Sequence, residues 1–149
     1  MKLGANMWIA VLDGAKGLVL VNEGTALEPR LVVRQSFSQD NPPTREQGSD
    51  RPGRMNDAVG RHKSSMEAPD LHQRAEDEFV SGIVGELEGA AAKGAFDKIV
   101  LVAPPVALGT IRKEIGRALQ DKIVKEIAAD YVKLPVSEIG KAVERALEG

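Results

Sequence analysis

Cysteine is absent from the 149 residues. That absence removes disulfide scaffolds, thiolate nucleophiles and cysteine-ligated zinc from the chemistry open to the chain, and it fits a reducing compartment. Aromatic residues are scarce, with one Trp, one Tyr and three Phe, so a core has to be assembled from Val, Leu, Ile and Ala. The two histidines, His62 and His72, lack the short ligand spacings of metal sites. Ser64 and Ser65 lie near His62 but on no strained strand-to-helix elbow, so they do not read as nucleophiles. No run approaches the ~20 apolar residues that span a bilayer. Asp13 and Lys16 interrupt the N-terminal apolar stretch too early for a secretory signal. Neither sign of charge dominates: 20 Lys and Arg face 22 Asp and Glu, for a formal net charge of −2. Such a balance argues against broad attachment to nucleic acid or anionic lipid, though not against a local basic patch. Phosphate-cradling patterns of the Gly-x-x-x-x-Gly-Lys and Gly-x-Gly-x-x-Gly kinds are missing. Gly14 to Gly17 has a clamp-like glycine spacing but joins two strands, and so reads as a hairpin turn. The expectation is a soluble, cytoplasmic protein with no cofactor and no membrane partner.

The length suits one domain, spanning residues 1–149. It is organised around Lys98 to Arg112. Ile99 to Val102 are four consecutive aliphatics, as in a strand covered on both faces. Pro104 and Pro105 then end the pairing, and Pro105 suits the first turn of a helix, where its missing N–H costs nothing. Leu108, Ile111, Ile115 and Leu119 continue at helical spacing and predict one helix packing back on the sheet. In open α/β sheets, such a strand-to-helix corner is where ligands tend to sit.

Before this corner, Met7–Leu12, Leu18–Val21 and Leu31–Phe37 read as an antiparallel meander, with an Asp13-Gly14 turn between the first two strands. Asp70 with Gln73 forms a capping-box pattern. It predicts a helix in which Ala75, Phe79, Ile83 and Leu87 face the core and Gly94 is the stop. Glu76, Asp77 and Glu78 then fall near the positive end of its dipole. In the C-terminal third, Ile123 and Ile127 keep helical spacing, yet Val124–Ala128 also reads as a strand parallel to the central one. The strand is adopted because it completes a βαβ unit with a connection of acceptable length. A last helix starts at Leu134-Pro135, with Val136, Ile139, Val143 and Leu147 inward. The predicted fold class is therefore α/β: a central mixed β-sheet, made of an N-terminal antiparallel meander and a C-terminal βαβ unit, flanked by helices.

Between about residues 38 and 69 no period is sustained, and Pro, Gly, Ser, Asp and Arg predominate. A connection of this length is functional or disordered more often than not, and a mobile loop is expected. From Arg45 to Lys63 it carries five fixed positive charges (Arg45, Arg51, Arg54, Arg61, Lys63) against three negative ones (Glu46, Asp50, Asp57). Arg51 and Arg54 flank Pro52-Gly53, so a tight turn can present two guanidiniums to phosphate. The plainer reading is a solvated loop in which Asp50 pairs with one of them. Lys113 and Arg117, four apart, make a second small basic area that is ordinarily a solvated face.

Several of these stretches match a known pattern. Trp8 to Ala15, Ser49-Asp-Arg-Pro-Gly-Arg54, Leu101-Val-Ala-Pro-Pro105 with Leu108, Gly109 and Arg112, and Asp130 occur in an order that resembles the bacterial host-attachment proteins, named for a requirement in attachment to host cells. That family is similar in fold to the middle domain of archaeal and eukaryotic peptide-chain release factors. The resemblance implies a mixed sheet flanked by helices and a loop that meets a ribosome. Release factors carry Gly-Gly-Gln at the loop tip to position the hydrolytic water; here only Glu46-Gln47-Gly48 is present, so peptidyl-tRNA hydrolysis is not expected.

The function expected is a non-enzymatic binding protein contacting RNA or the ribosome. Its binding residues are Asp50, Arg51, Pro52, Gly53 and Arg54, together with Pro104, Pro105, Leu108, Gly109 and Arg112 at the corner. The alternatives are a hydrolase acting on an RNA ester or a small phosphorylated ligand at the Pro104-Pro105 corner, and a protein-interaction partner acting indirectly in attachment.

Overall fold

In the computed structural model, residues 2–39 and 58–148 are described, with backbone alone for 58–70. Strands β1 (Trp8–Leu12), β2 (Lys16–Asn22) and β3 (Leu31–Ser38) precede helix α1 (Ala58–Ala92). Strand β4 (Ile99–Ala103), helices α2 (Pro105–Glu114) and α3 (Arg117–Gln120), strand β5 (Ile123–Ala128) and helix α4 (Val136–Glu148) follow. The five strands form one sheet in the order β3-β2-β1-β4-β5. β1–β2 and β2–β3 pair antiparallel, while β1–β4 and β4–β5 pair parallel. The sheet is mixed, as the alternation of meander and βαβ patterns predicts, and Ile123–Ala128 is the strand.

Successive side chains of a strand point to opposite faces, and here each face has its own core. On one side, Trp8, Ala10 and Leu12 of β1 and Ile99, Leu101 and Ala103 of β4 pack with Val80, Ile83, Val84 and Leu87 of α1 and Leu108 and Ile111 of α2. On the other, Ile9, Val11, Val100 and Val102 pack with Ile139, Val143 and Leu147 of α4. All five residues of β4 are 0% exposed, which explains why the aliphatic run is unbroken: neither face meets water.

One polar side chain, Asn22, is fully buried among the described residues. Its Nδ2 donates to the carbonyls of Leu3 (3.1 Å), Gly4 (3.0 Å) and Thr25 (3.2 Å). Its Oδ1 accepts from the N–H groups of Gly24 and Arg30, both at 2.8 Å. The amide thus ties the N-terminal segment to the β2–β3 turn with its donors and acceptor satisfied.

Four expectations need correction. The first long helix begins at Ala58 rather than Asp70 and runs for 35 residues, about 52 Å at 1.5 Å per residue. Residues 58–69 are therefore helix rather than loop, with Pro69 inside α1; the mobility expected of 40–57 lies outside the described residues. Gly60, Ser64, Ser65 and Pro69 are poor helix formers, so no local signal in the sequence announces this part of the helix. Second, with the start moved, the Asp70–Gln73 capping box has no helix end to cap. Gln73 donates instead to Asp77 Oδ1 at 2.9 Å, and Glu76, Asp77 and Glu78 lie well inside α1. Third, Phe79 is half-buried at the margin of the core, while Val80, Ile83, Val84 and Leu87 are buried. Fourth, the helix expected to run from Leu108 through Leu119 is two, α2 and α3, broken at Ile115-Gly116. Lys113 and Arg117 therefore do not share a helix face. At the other end of α1, Gly94 adopts φ +76°, with Gly94 N–H on Ala91 O and Ala95 N–H on Ala90 O, both 3.0 Å. This is the glycine-terminated helix end that the sequence predicts.

Candidate functional site

Parallel pairing of β1 with β4, from Trp8↔Ile99 to Val11↔Val102, brings their C-terminal ends side by side. The chain leaving β1 turns at Asp13, whose Oδ1 accepts from the N–H groups of Ala15 (2.8 Å) and Lys16 (2.7 Å). Such an aspartate turn imitates a backbone turn and reverses the chain into β2. Helix α1 crosses directly over it: a Cβ at Gly14 would stand 2.8 Å from Glu76 Cγ and Cδ. Gln39, just beyond β3, ties these parts together. Its Nε2 donates to Gly14 O (3.2 Å) and Ala75 O (3.1 Å), and its backbone N–H to Ala15 O (2.7 Å).

The chain leaving β4 turns at Pro104, which precedes α2 in extended conformation, with Pro105 in the first turn. Between this corner and α1 lies a cavity of about 160 Å³ whose lining includes Gly14, Gln73, Glu76, Asp77, Pro104 and Thr110. Asp77 Oδ1 accepts from Thr110 Oγ1 at 3.0 Å and from Gln73 Nε2 at 2.9 Å, joining α1 to α2. Among the described residues, two carboxylates and no cation line the cavity. A phosphorylated ligand there would meet like charge instead of the guanidinium or ammonium donors that hold phosphate.

The corner residues separate accordingly. Pro104 lines the cavity; Pro105 is exposed on the first turn of α2. Leu108, 2% exposed, is a core residue. Gly109 is half-buried, with no atom within 4 Å of where a Cβ would stand. Arg112, two residues from Thr110 and so on a different side of α2, is bound to β5. Its Nε and Nη2 donate to Glu126 Oε1 at 3.0 and 2.8 Å. The structure thus does not bring Pro104, Pro105, Leu108, Gly109 and Arg112 together as one set of ligand contacts. Asp50, Arg51, Pro52, Gly53 and Arg54 lie outside the described residues, as does the side chain of His62. No group of three or more His, Cys, Asp or Glu able to hold a metal occurs among the described residues.

Sequence reasoning missed Gln39, Gln73, Asp77 and Thr110 at this end of the sheet. Gln73 and Asp77, four apart on a helix, carry a visible signal. The Thr110–Asp77 bond spans 33 residues and has none.

No curated protein matches the chain. Among solved structures, the crystal structure of the archaeal translation termination factor aRF1 aligns at 13% identity with a TM-score of 0.48. The alignment covers 95% of this chain and 39% of that one, so the chain spans about two-fifths of that factor's length. The profile of one protein family matches residues 6–143, a span that takes in the whole sheet, both sheet-end turns and most of α4. With that much of its length matched, the chain belongs to bacterial archaeo-eukaryotic release factor family 12.

Proposed function

We propose that this protein is a non-enzymatic binding module that associates with RNA or the ribosome through the arginine-bearing segment Asp50, Arg51, Pro52, Gly53 and Arg54. Membership of a release-factor family, over residues 6–143, carries the reading. Arg45, Arg51 and Arg54 support it by supplying phosphate-seeking groups in a protein of net charge −2, although the positive excess between Arg45 and Lys63 comes from Arg61 and Lys63 in α1. The acidic lining of the Pro104 cavity weighs against placing a phosphorylated ligand at that corner. A part in attachment to host cells, as the host-attachment proteins' name suggests, is then an indirect consequence of what the module binds.

Co-sedimentation with ribosomal subunits at low and high salt tests the proposal. Each phosphate neutralised contributes roughly 0.7–0.9 to the slope of log affinity against log salt. Arg51→Ala/Arg54→Ala should lower that slope by roughly 1–2 units with the fold intact. An unchanged slope in the double variant, or no association by the wild type at low salt, would overturn the reading.

A further inference from the structure

The opposite end of the sheet, where β1 and β4 begin, carries two adjoining hollows that meet at Ala95. One, of about 500 Å³, is lined by Lys2, Lys98 and Asp97 among others. The other, of about 380 Å³, is lined by Trp8, Arg34, Glu86 and Lys93 among others. Among the described residues, four cations, Lys2, Arg34, Lys93 and Lys98, thus line the hollows with two carboxylates, Glu86 and Asp97. The side chains of Lys2, Lys93 and Lys98 have no hydrogen-bond or ion-pair partner among the described residues.

Arg34 is held in a particular way. Its guanidinium carbon stands 4.7 Å from the centroid of the Trp8 ring, and Trp8 in turn lies 4.4 Å from Phe96, ring centre to ring centre. Stacked on an aromatic face, a guanidinium is oriented while its N–H donors stay free to receive an anion. Lys122 Nζ lies 5.9 Å from the centre of the Phe96 ring and donates to Phe96 O at 2.9 Å. The carbonyls of Ala90 and Ala91 at the end of α1, which would repel an anion, are already engaged by Ala95 and Gly94.

We infer that this groove is a second RNA contact, made to the phosphodiester backbone through Arg34, Lys93, Lys98 and Lys2; the inference rests on the RNA-binding reading above. Backbone contact is favoured over base readout because Trp8 and Phe96 are 5% and 3% exposed, leaving no aromatic face on which a base can stack. A protein partner is disfavoured because protein interfaces need apolar anchors. The exposed large apolar residues, Leu27, Val33, Leu71, Val106 and Leu134, line neither hollow. Unpaired cations without an apolar centre suit a polyanion.

The test measures binding of a labelled RNA hairpin across a salt series, with Trp8 emission as a local reporter, since Trp8 is the only tryptophan. Arg34→Gln/Lys93→Gln/Lys98→Gln should lower the salt slope by roughly 2–3 units and abolish the emission change on RNA addition. Arg51→Ala/Arg54→Ala should lower the slope but keep the emission change. Arg34→Lys alone, which preserves charge, should bind nearly as the wild type does, separating loss of charge from loss of fold; thermal midpoints check the triple variant. A wild-type slope in the triple variant, with a lowered slope in the loop variant, overturns the groove and leaves the loop reading standing. No binding by the wild type overturns both. Displacement by polyglutamate as readily as by unlabelled RNA points to an acidic protein, and saturation by inorganic phosphate alone points to a small ligand; either overturns the groove as an RNA site.

Discussion

Glu88 on α1 reaches across to Gly116, its Oε1 accepting the glycine's backbone N–H at 2.9 Å. The same carboxylate accepts the N–H of Leu119 at 3.2 Å through Oε2, so one side chain serves two backbone donors at the start of α3. A Cβ at residue 116 would lie 2.8 Å from Glu88 Cδ and Oε1, so any larger residue there would push the carboxylate from its present position. A side chain from another helix thereby supplies the cap that the chain's own residues do not: Gly116 has none to offer, and helix-start N–H groups need a partner.

Glu88→Ala should accordingly cost about 1–3 kcal/mol, because two backbone donors lose their acceptor. Gly116→Ala should cost about 1–2 kcal/mol by displacing the same carboxylate. The two act through one contact, so the double variant should cost clearly less than their sum. Chemical denaturation at constant slope measures all three. Full additivity would mean that alanine at 116 does not act by displacing the Glu88 carboxylate.

The break at Gly116 also marks where sequence reading loses its grip. Leu108, Ile111, Ile115 and Leu119 keep perfect helical spacing, and three of the four are buried while Ile115 packs at the margin. Two short helices on one sheet face preserve that spacing as well as one long helix does, and what separates them is a carboxylate 28 residues upstream. The central strand was legible because its signal is local: covered on both faces, it has nothing but aliphatics. The end of the sheet near Pro104 was only half legible. The proline corner is written in consecutive residues, but its acidic wall comes from α1, and no local pattern places Asp77 opposite Thr110.

Phe79 tests where the buried face of α1 lies. Leu87→Ala, at a site 3% exposed, should cost about 2–5 kcal/mol. Phe79→Ala, on the half-buried margin, should cost less, ~2 kcal/mol, in proportion to the apolar area it loses. A larger loss for Phe79 than for Leu87 in denaturant midpoints would rotate the inward face of the helix.

Asn22 concentrates five hydrogen bonds in one buried amide. Asn22→Ala leaves Gly24 N–H and Arg30 N–H without their acceptor and takes the side-chain donor from the carbonyls of Leu3 and Thr25, while Gly4 O keeps the Met7 N–H at 3.2 Å. The expected loss is about 3 kcal/mol, since groups stranded away from water cost more than a hydrogen bond gains. Amide exchange should show Gly24 and Arg30 opening first. Undisturbed protection at both would mean that the turn holds without the side chain.

Arg112 and Glu126 form an ion pair at 2.8 Å with side chains 62% and 29% exposed. Both donors fall on the same oxygen, and solvent reaches the arginine freely. A double-variant cycle should give a coupling of about 0.3–1 kcal/mol, weakening with salt. Arg112→Ala should leave the salt dependence of ribosome or RNA association unchanged, because its guanidinium is committed to β5. A drop of a full unit in that slope would return Arg112 to the binding surface.

Release activity is the sharpest separation between a binding module and a catalyst. Release factors, which this chain resembles, carry Gly-Gly-Gln at the loop tip to position the hydrolytic water. Glu46-Gln47-Gly48 has its glycine after the glutamine and none before it. The backbone freedom that paired glycines supply is therefore missing on the side where it is needed. Ribosomes charged with peptidyl-tRNA should retain their peptide when incubated with saturating protein, while the protein still co-sediments with them. Gln47→Ala should leave co-sedimentation unaltered. Peptide released at a rate that Gln47→Ala abolishes would make this chain an enzyme, with Gln47 positioning the attacking water.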